Sequence, residues 1–140
     1  MGLTALDTGV VIGFLDASDP FHRSVLEALP VAHARGRMWL PAVAYAEALV
    51  MVLRAGATEE WFRALLRRLT LDVGVLDSAG CDRAAQLRFA GLADRRRKQW
   101  RMPDALIVGE ALAVGADTIV TTDHNWPPVT GINATVLTAT

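Results

Sequence analysis

The chain has 140 residues, a length typical of one domain, and we predict a single domain over residues 1–140. Apolar residues make up 52% of the sequence, which excludes a disordered chain. The formal net charge of -1 excludes a protein whose whole surface is basic and binds nucleic acid, but it does not exclude a local basic patch. The single cysteine excludes an internal disulfide and a cysteine-based zinc cluster. No apolar run reaches the roughly 18 residues of a membrane span and no signal peptide is evident, so we expect a cytoplasmic protein with no membrane partner.

Short apolar segments separated by turn residues run along the chain and indicate strands that alternate with helices. Strands are predicted at residues 3–6, 38–40, 71–76, 118–121 and 134–137. Helices are predicted at residues 8–15, around 25–29, and at 41–55, 58–69, 78–92 and 103–115. This alternation predicts an α/β fold with a central parallel sheet of about five short strands and helices on both faces.

Four acidic residues occupy positions that such a fold would bring together. Asp7 follows the first predicted strand, Asp123 follows the fourth, and Asp104 begins a helix. The carboxyl ends of parallel strands meet at one edge of the sheet, where α/β proteins bind ligands. Glu47 lies in an apolar helix, where a carboxylate is rarely buried without a partner. We therefore expect one acidic pocket at this edge.

Acids that converge in this way repel one another unless they share protons or a cation. Oxygen ligands without thiolate or histidine partners favour Mg²⁺ or Mn²⁺ over zinc. A divalent ion held by carboxylates indicates phosphodiester chemistry, in which the ion activates water and neutralises phosphate charge. Each acid alone is better explained as a helix cap or a surface charge, but their shared placement favours a metal centre.

Four short motifs surround these acids, at residues 6–12 (LDTGVVI), 44–47 (AYAE), 102–107 (MPDALI) and 120–123 (VTTD). In this order and spacing they resemble the PIN domains, and in particular the VapC-type ribonuclease toxins of bacterial toxin–antitoxin pairs. The resemblance spans essentially the whole chain. It implies a PIN-like fold and an endoribonuclease that depends on Mg²⁺ or Mn²⁺. The implied catalytic and metal-binding residues are Asp7, Glu47, Asp104 and Asp123, with Thr8 and Thr121 supporting the first and last acids.

The resemblance also implies partners. A toxin of this type cleaves cellular RNA such as tRNA or rRNA, is inhibited by a cognate antitoxin and forms a homodimer. Two alternatives stay open at this point: a PIN nuclease outside toxin–antitoxin biology, acting on DNA or in RNA processing, and a non-catalytic binding module on the same fold.

One concentrated basic stretch directly precedes Asp104 and supplies candidate RNA contacts. These are Arg95, Arg96, Arg97, Lys98, Trp100 and Arg101. The basic side chains can bind backbone phosphates and Trp100 can stack on a base. A solvated loop or a contact for an acidic partner explains the stretch equally well. Glu110 lies six residues beyond Asp104, points away from it on a helix, and is expected in solvent.

Overall fold

The computed structural model describes residues 2–93, 96 and 98–140 of the chain. Its strands are β1 (Gly2–Leu6), β2 (Gly36–Leu40), β3 (Leu71–Val73), β4 (Thr118–Thr121) and β5 (Asn133–Val136). Its helices are α1 (Thr8–Leu15), α2 (His22–Arg35), α3 (Ala42–Arg54), α4 (Glu59–Arg68), α5 (Ser78–Leu92) and α6 (Met102–Ala113). No helix in this part of the chain is long and apolar enough to cross a membrane.

The five strands form one sheet in the order β3-β2-β1-β4-β5, and every neighbouring pair is parallel. The predicted α/β fold is therefore confirmed. From β1 the chain moves outward through β2 to β3, then returns to β4 on the other side of β1 and continues to β5. With right-handed crossovers, this reversal puts the helices before and after β3 on opposite faces of the sheet. The reversal lies between β1 and β4, which is where open α/β sheets form a ligand crevice.

The sheet is buried at its centre and exposed at one edge. All four residues of β4 are buried, which is typical of a central parallel strand covered by helices on both faces, whereas all four residues of β5 are exposed. The largest buried side chains come from both strands and helices and include Leu6, Leu40, Phe62, Ile107 and Ile119. This single apolar cluster fixes the positions from which the loops at the carboxyl edge begin.

Two predictions about local structure are wrong. β3 ends at Val73 instead of continuing to residue 76, and Gly74 leaves the strand with its N–H donated to the Leu40 carbonyl, 2.8 Å away. Glu110 is 1% exposed instead of solvated. Its carboxyl group accepts hydrogen bonds from the Trp39 indole Nε1 at 3.0 Å and from the Ala42 backbone N at 3.0 and 3.1 Å. These partners are distant in sequence, so local helical periodicity carried no sign of them.

Candidate active site

Asp7 is the most buried of the four predicted acids, at 6% exposed. It directly follows β1 and is the N-cap of α1, so its Oδ1 accepts the Thr8 backbone N–H at 2.8 Å. Its Oδ2 accepts a hydrogen bond from Thr121 Oγ1 at 2.7 Å. Burial raises the Asp7 pKa to about 6, with smaller contributions from the charges of Asp104 and Glu47, although both hydrogen bonds act in the opposite direction. Asp7 is therefore fixed in position at an electrostatic cost.

The two predicted supporting threonines connect the acids in a crossed pattern. Thr8 lies next to Asp7, but its Oγ1 donates to Glu47 Oε1 at 2.6 Å and so orients an acid on a different helix. Thr121 lies at the end of β4, donates to Asp7, and accepts the backbone N–H of Asp123 at 3.0 Å. The side chain of Thr8 thus supports Glu47 instead of the first acid. Thr121 supports Asp7 together with the backbone that leads to the last acid.

Glu47 is exposed, although its neighbours in sequence are apolar. The small residues Ala44 and Ala48 of the same helix are fully buried, whereas the exposed Glu47 has its carboxylate beside Thr8 of α1. Its carboxylate is therefore the member of the group that is most accessible to solvent and ligands.

Asp104 lies in the first turn of α6 and is half-buried. Burial and the charges of Asp123 and Glu47 raise its pKa, whereas the charge of Arg101 lowers it. The indole N–H of Trp126 also lies beside this carboxylate and lowers its pKa, although the contact falls short of regular hydrogen-bond geometry. The Asp104 pKa therefore responds to the charges of three neighbouring side chains.

The structure brings all four predicted acids to the carboxyl edge, close enough for their charges to act on one another. Their oxygens form no completed ligand set: within residues 2–93, 96 and 98–140, no three carboxylate, histidine or cysteine side chains are arranged to hold a metal ion. The pocket is thus a concentration of negative charge with orienting threonines. Such an arrangement stores repulsion that protons or a cation would relieve.

The raised pKa of buried Asp7 gives a stability prediction for Asp7→Asn without divalent ions. The Asp7 pKa is about 6 in the fold against an ordinary value of 3.8, so the folded state keeps its proton to a higher pH than the unfolded state. Stability therefore falls as the pH rises from about 4 to about 6, and a loss of about 3 kcal/mol is complete above pH 6. Asn abolishes this loss but weakens the hydrogen bond with Thr121, so we expect a net gain of about 1–2 kcal/mol at pH 7.5.

Urea unfolding in EDTA at pH 4 and pH 7.5 measures this difference. Asp82→Asn, which removes an exposed acid from α5, is the matched control and should change stability little at either pH. An Asp7→Asn variant that is less stable than the parent at pH 7.5 would show that the Asp7 carboxylate has a structural role that outweighs its burial.

The described part of the basic stretch borders the acidic pocket. Arg101 is the N-cap residue of α6 and acts electrostatically on Asp104. The Lys98 Nζ lies 3.3 Å from the Asn125 Oδ1, which connects the stretch to the loop after Asp123. Arg96, Lys98 and Arg101 are exposed, whereas Arg95 and Arg97 lie outside the described residues.

The prediction that Trp100 stacks on a base does not fit the structure. Trp100 is 3% exposed, and its ring centroid lies 5.5 Å from that of Trp126. Its carbonyl accepts a hydrogen bond from Arg88 Nη1 at 2.7 Å, which holds the segment onto α5. Trp100 therefore packs against Trp126, which lies beside Asp104. The two tryptophans are 26 positions apart, so sequence spacing gave no sign of this contact.

A second concave surface, the apolar groove, lies between α1, α2 and α4. Its cavity has a volume of about 460 Å³. The side chains that line it include Val10, Phe14, Leu26, Leu29, Phe62, Leu65 and Leu69, with His33, Arg68 and Thr70 among the polar ones. Leu26 is 47% exposed, so apolar surface is open to solvent here. Exposed apolar surface of this kind is typical of a binding site for another chain.

Comparison with known proteins gives matches at the level of structure. No family model and no curated protein matches the chain. VapBC2 from Rickettsia felis, bound to a DNA fragment from its promoter, matches with a TM-score of 0.73 at 16% identity, over 97% of this chain and 99% of that chain. A toxin–antitoxin complex from Klebsiella pneumoniae matches with a TM-score of 0.67 at 18% identity, over 92% and 94%.

A third structure is Mycobacterium tuberculosis VapC20, a toxin that cleaves the sarcin–ricin loop. It matches with a TM-score of 0.57 at 15% identity, over 83% of this chain and 86% of that chain. At these identities the likeness concerns the fold, and the chain has the PIN-like fold of these toxin–antitoxin structures along nearly its whole length. The PIN-like fold that the four sequence motifs implied is therefore confirmed.

Proposed function

We propose that this chain is the toxin of a toxin–antitoxin pair, an endoribonuclease that uses Mg²⁺ or Mn²⁺ to cleave a cellular RNA such as tRNA or rRNA in the cytoplasm. The observation that carries the proposal is the gathering of Asp7, Glu47, Asp104 and Asp123 at the topological switch point of a PIN-like fold. One structure with this fold is a toxin that cleaves the sarcin–ricin loop, which supports a nuclease by analogy of fold.

The donor chemistry of the pocket fits a hard divalent cation. All four acids offer carboxylate oxygens, which Mg²⁺ and Mn²⁺ prefer. Burial, and to a smaller extent the charges of neighbouring acids, raise the pKa values of Asp7 and Asp104, and a bound cation would offset both effects. Since no three of the described acids are arranged as ligands, binding requires rotation of side chains. When bound, the ion would activate a water molecule and neutralise charge on the scissile phosphate.

The chain's own residues prepare the pocket for this chemistry. Thr121 and the first turn of α1 hold the Asp7 carboxylate in one orientation, and Thr8 holds Glu47 toward it. Below about pH 6 Asp7 keeps its proton, and a cation would have to displace it. Half-buried Asp104 faces Trp126 and Arg101, which favour its ionised form against the charges of the neighbouring acids. Metal affinity is therefore expected to rise with pH.

The exposed basic side chains beside the pocket are suited to the RNA backbone. Arg96, Lys98 and Arg101 are proposed to contact phosphates on either side of the cleaved bond, with Arg95 and Arg97 in the same role. Such contacts neutralise charge and position the strand without taking part in the chemical step.

The apolar groove is the proposed site for the cognate antitoxin. A segment with apolar side chains would cover Leu26 and the cavity beside it, and an adjoining cationic residue could pair with the acidic pocket. We also propose a homodimer, for which Phe89 and Leu92 on α5, 76% and 54% exposed, offer apolar surface. These two surfaces lie on different helices, so the partners would not compete for the same side chains.

Cleavage of total cellular RNA by the purified protein tests the proposed function. We expect discrete cuts in one RNA class with Mg²⁺ or Mn²⁺, loss of at least about 100-fold in rate with EDTA, and recovery when the ion is restored, because the acids cannot place water or neutralise phosphate charge alone. Mapping the 5′ ends identifies the target. Full activity in EDTA would overturn the metal mechanism, and cleavage of DNA in preference to RNA would favour a PIN nuclease outside toxin–antitoxin biology.

A further inference from the structure

Glu110 has a structural position that the mechanism above does not use. It is 1% exposed in the last turn of α6, and its carboxyl group accepts three hydrogen-bond contacts from two donors. One donor is the Trp39 indole N–H on β2, and the other is the backbone N–H of Ala42, the first residue of α3. A single side chain thus connects α6 with β2 and with the start of α3.

Helix α3 needs such a partner because its own sequence supplies no cap. The N-cap position is Pro41, whose side chain accepts no hydrogen bond among the described residues, and the first turn of α3 has no acidic residue. The first N–H groups of a helix lack intrahelical acceptors and are usually satisfied by a polar side chain at the N-cap. Glu110 performs this role from another helix, and it therefore links the start of α3 to α6.

The space around the Glu110 carboxyl group leaves it little freedom. Gly74, directly after β3, lies so close that a Cβ at this position would be 2.1 Å from Glu110 Oε2 and 2.6 Å from Trp39 Nε1. Any larger residue at position 74 would displace the carboxyl group. The contact between α3 and α6 is consequently held from three sides, by Trp39, by Ala42 and by the backbone of Gly74.

Both connected helices carry acids of the candidate active site. Glu47 lies five residues after Ala42 on α3, and Asp104 lies six residues before Glu110 on α6. We propose that Glu110 is a positioning residue, which by capping α3 from α6 sets the separation of Glu47 from Asp104 and so the affinity of the pocket for a divalent cation. This inference rests on the proposed metal centre.

Two substitutions test the connection from opposite sides. Glu110→Gln keeps the shape of the side chain but directs an amide N–H₂ at one of the two N–H donors. Ala42→Pro removes the donor on α3 at the first helical position, where proline is well tolerated. Asp117→Asn is the matched control, because Asp117 accepts the Leu3 backbone N–H at 2.7 Å at the opposite edge of the sheet.

The measurement is the Mg²⁺ concentration that half-saturates the rise in melting temperature of each purified variant, without RNA. Loss of a residue that orients metal ligands typically costs 10–100-fold in metal affinity, so we expect about a tenfold increase for Glu110→Gln and Ala42→Pro and no change for Asp117→Asn. A purely structural role would lower all melting temperatures and leave the half-saturating concentration unchanged, which would overturn the inference. If Glu110→Gln does not fold, Ala42→Pro decides the question alone.

A parent protein that no divalent ion stabilises would refute the metal centre itself, and this inference with it.

Discussion

Replacing Asp104 with Asn is expected to reduce the rate of RNA cleavage by more than about 100-fold. Loss of a residue that only orients a metal ligand typically costs about 10–100-fold, and Asp104 is itself a proposed ligand. Asp104 receives the charges of Asp123 and Glu47, so it is the residue through which the acids are most strongly coupled. Asn keeps the size of the side chain but removes the negative charge that a cation requires. RNA binding should persist, because phosphate contacts belong to the exposed basic side chains and not to the acids.

Single-turnover cleavage at saturating RNA and a separate binding measurement distinguish the two effects. The control is Asp82→Asn, which makes the same chemical change at an exposed site on α5 and should cleave like the parent. If Asp104→Asn cleaves normally, the acidic pocket is not the catalytic centre. If it loses binding and cleavage in equal measure, the acids and the basic stretch do not have separate roles.

Expression of the chain alone is expected to arrest bacterial growth, and co-expression of the adjacent upstream reading frame should relieve the arrest. The proposed contact is the apolar groove, where Leu26 is 47% exposed. Leu26→Arg places a charge in this contact without burying it in the free protein. We expect the variant to stay toxic and to lose at least about tenfold in affinity for the antitoxin, since apolar contacts at the centre of an interface carry most of its binding energy.

Two matched variants make this experiment decisive. Leu53→Arg introduces the same charge on α3, at a leucine that is 52% exposed and outside the cavity, and should still be neutralised by the antitoxin. Asp104→Asn should not arrest growth at all. Harmless expression of the folded parent would argue against the toxin role while leaving the nuclease proposal standing. If the antitoxin relieves the growth arrest caused by Leu26→Arg as fully as that caused by the parent, the antitoxin binds elsewhere.

The acidic pocket could be predicted from sequence because three of its four acids occupy places that the chain topology determines. Asp7 and Asp123 follow strands, and Asp104 begins a helix, so the parallel arrangement alone brings them to one edge. Alternating strand and helix patterns are local, and the rule of right-handed crossovers leaves few arrangements of them. Three of the four acids therefore follow from a local pattern and a general rule of chain topology, whereas Glu47, inside α3, was assigned from the motif resemblance.

The environment of each side chain, in contrast, was decided by the tertiary structure. The sequence predicted a solvated Glu110 because helical spacing relates only residues that are close along the chain. Its donors Trp39 and Ala42 are 71 and 68 positions away. The sequence predicted that Trp100 can stack on an RNA base, whereas the fold packs it against Trp126 and buries it. By itself, the sequence determined the order of the elements and the edge at which the acids meet. Only the packed structure decided which polar groups are buried, because burial depends on contacts between segments that no local periodicity records.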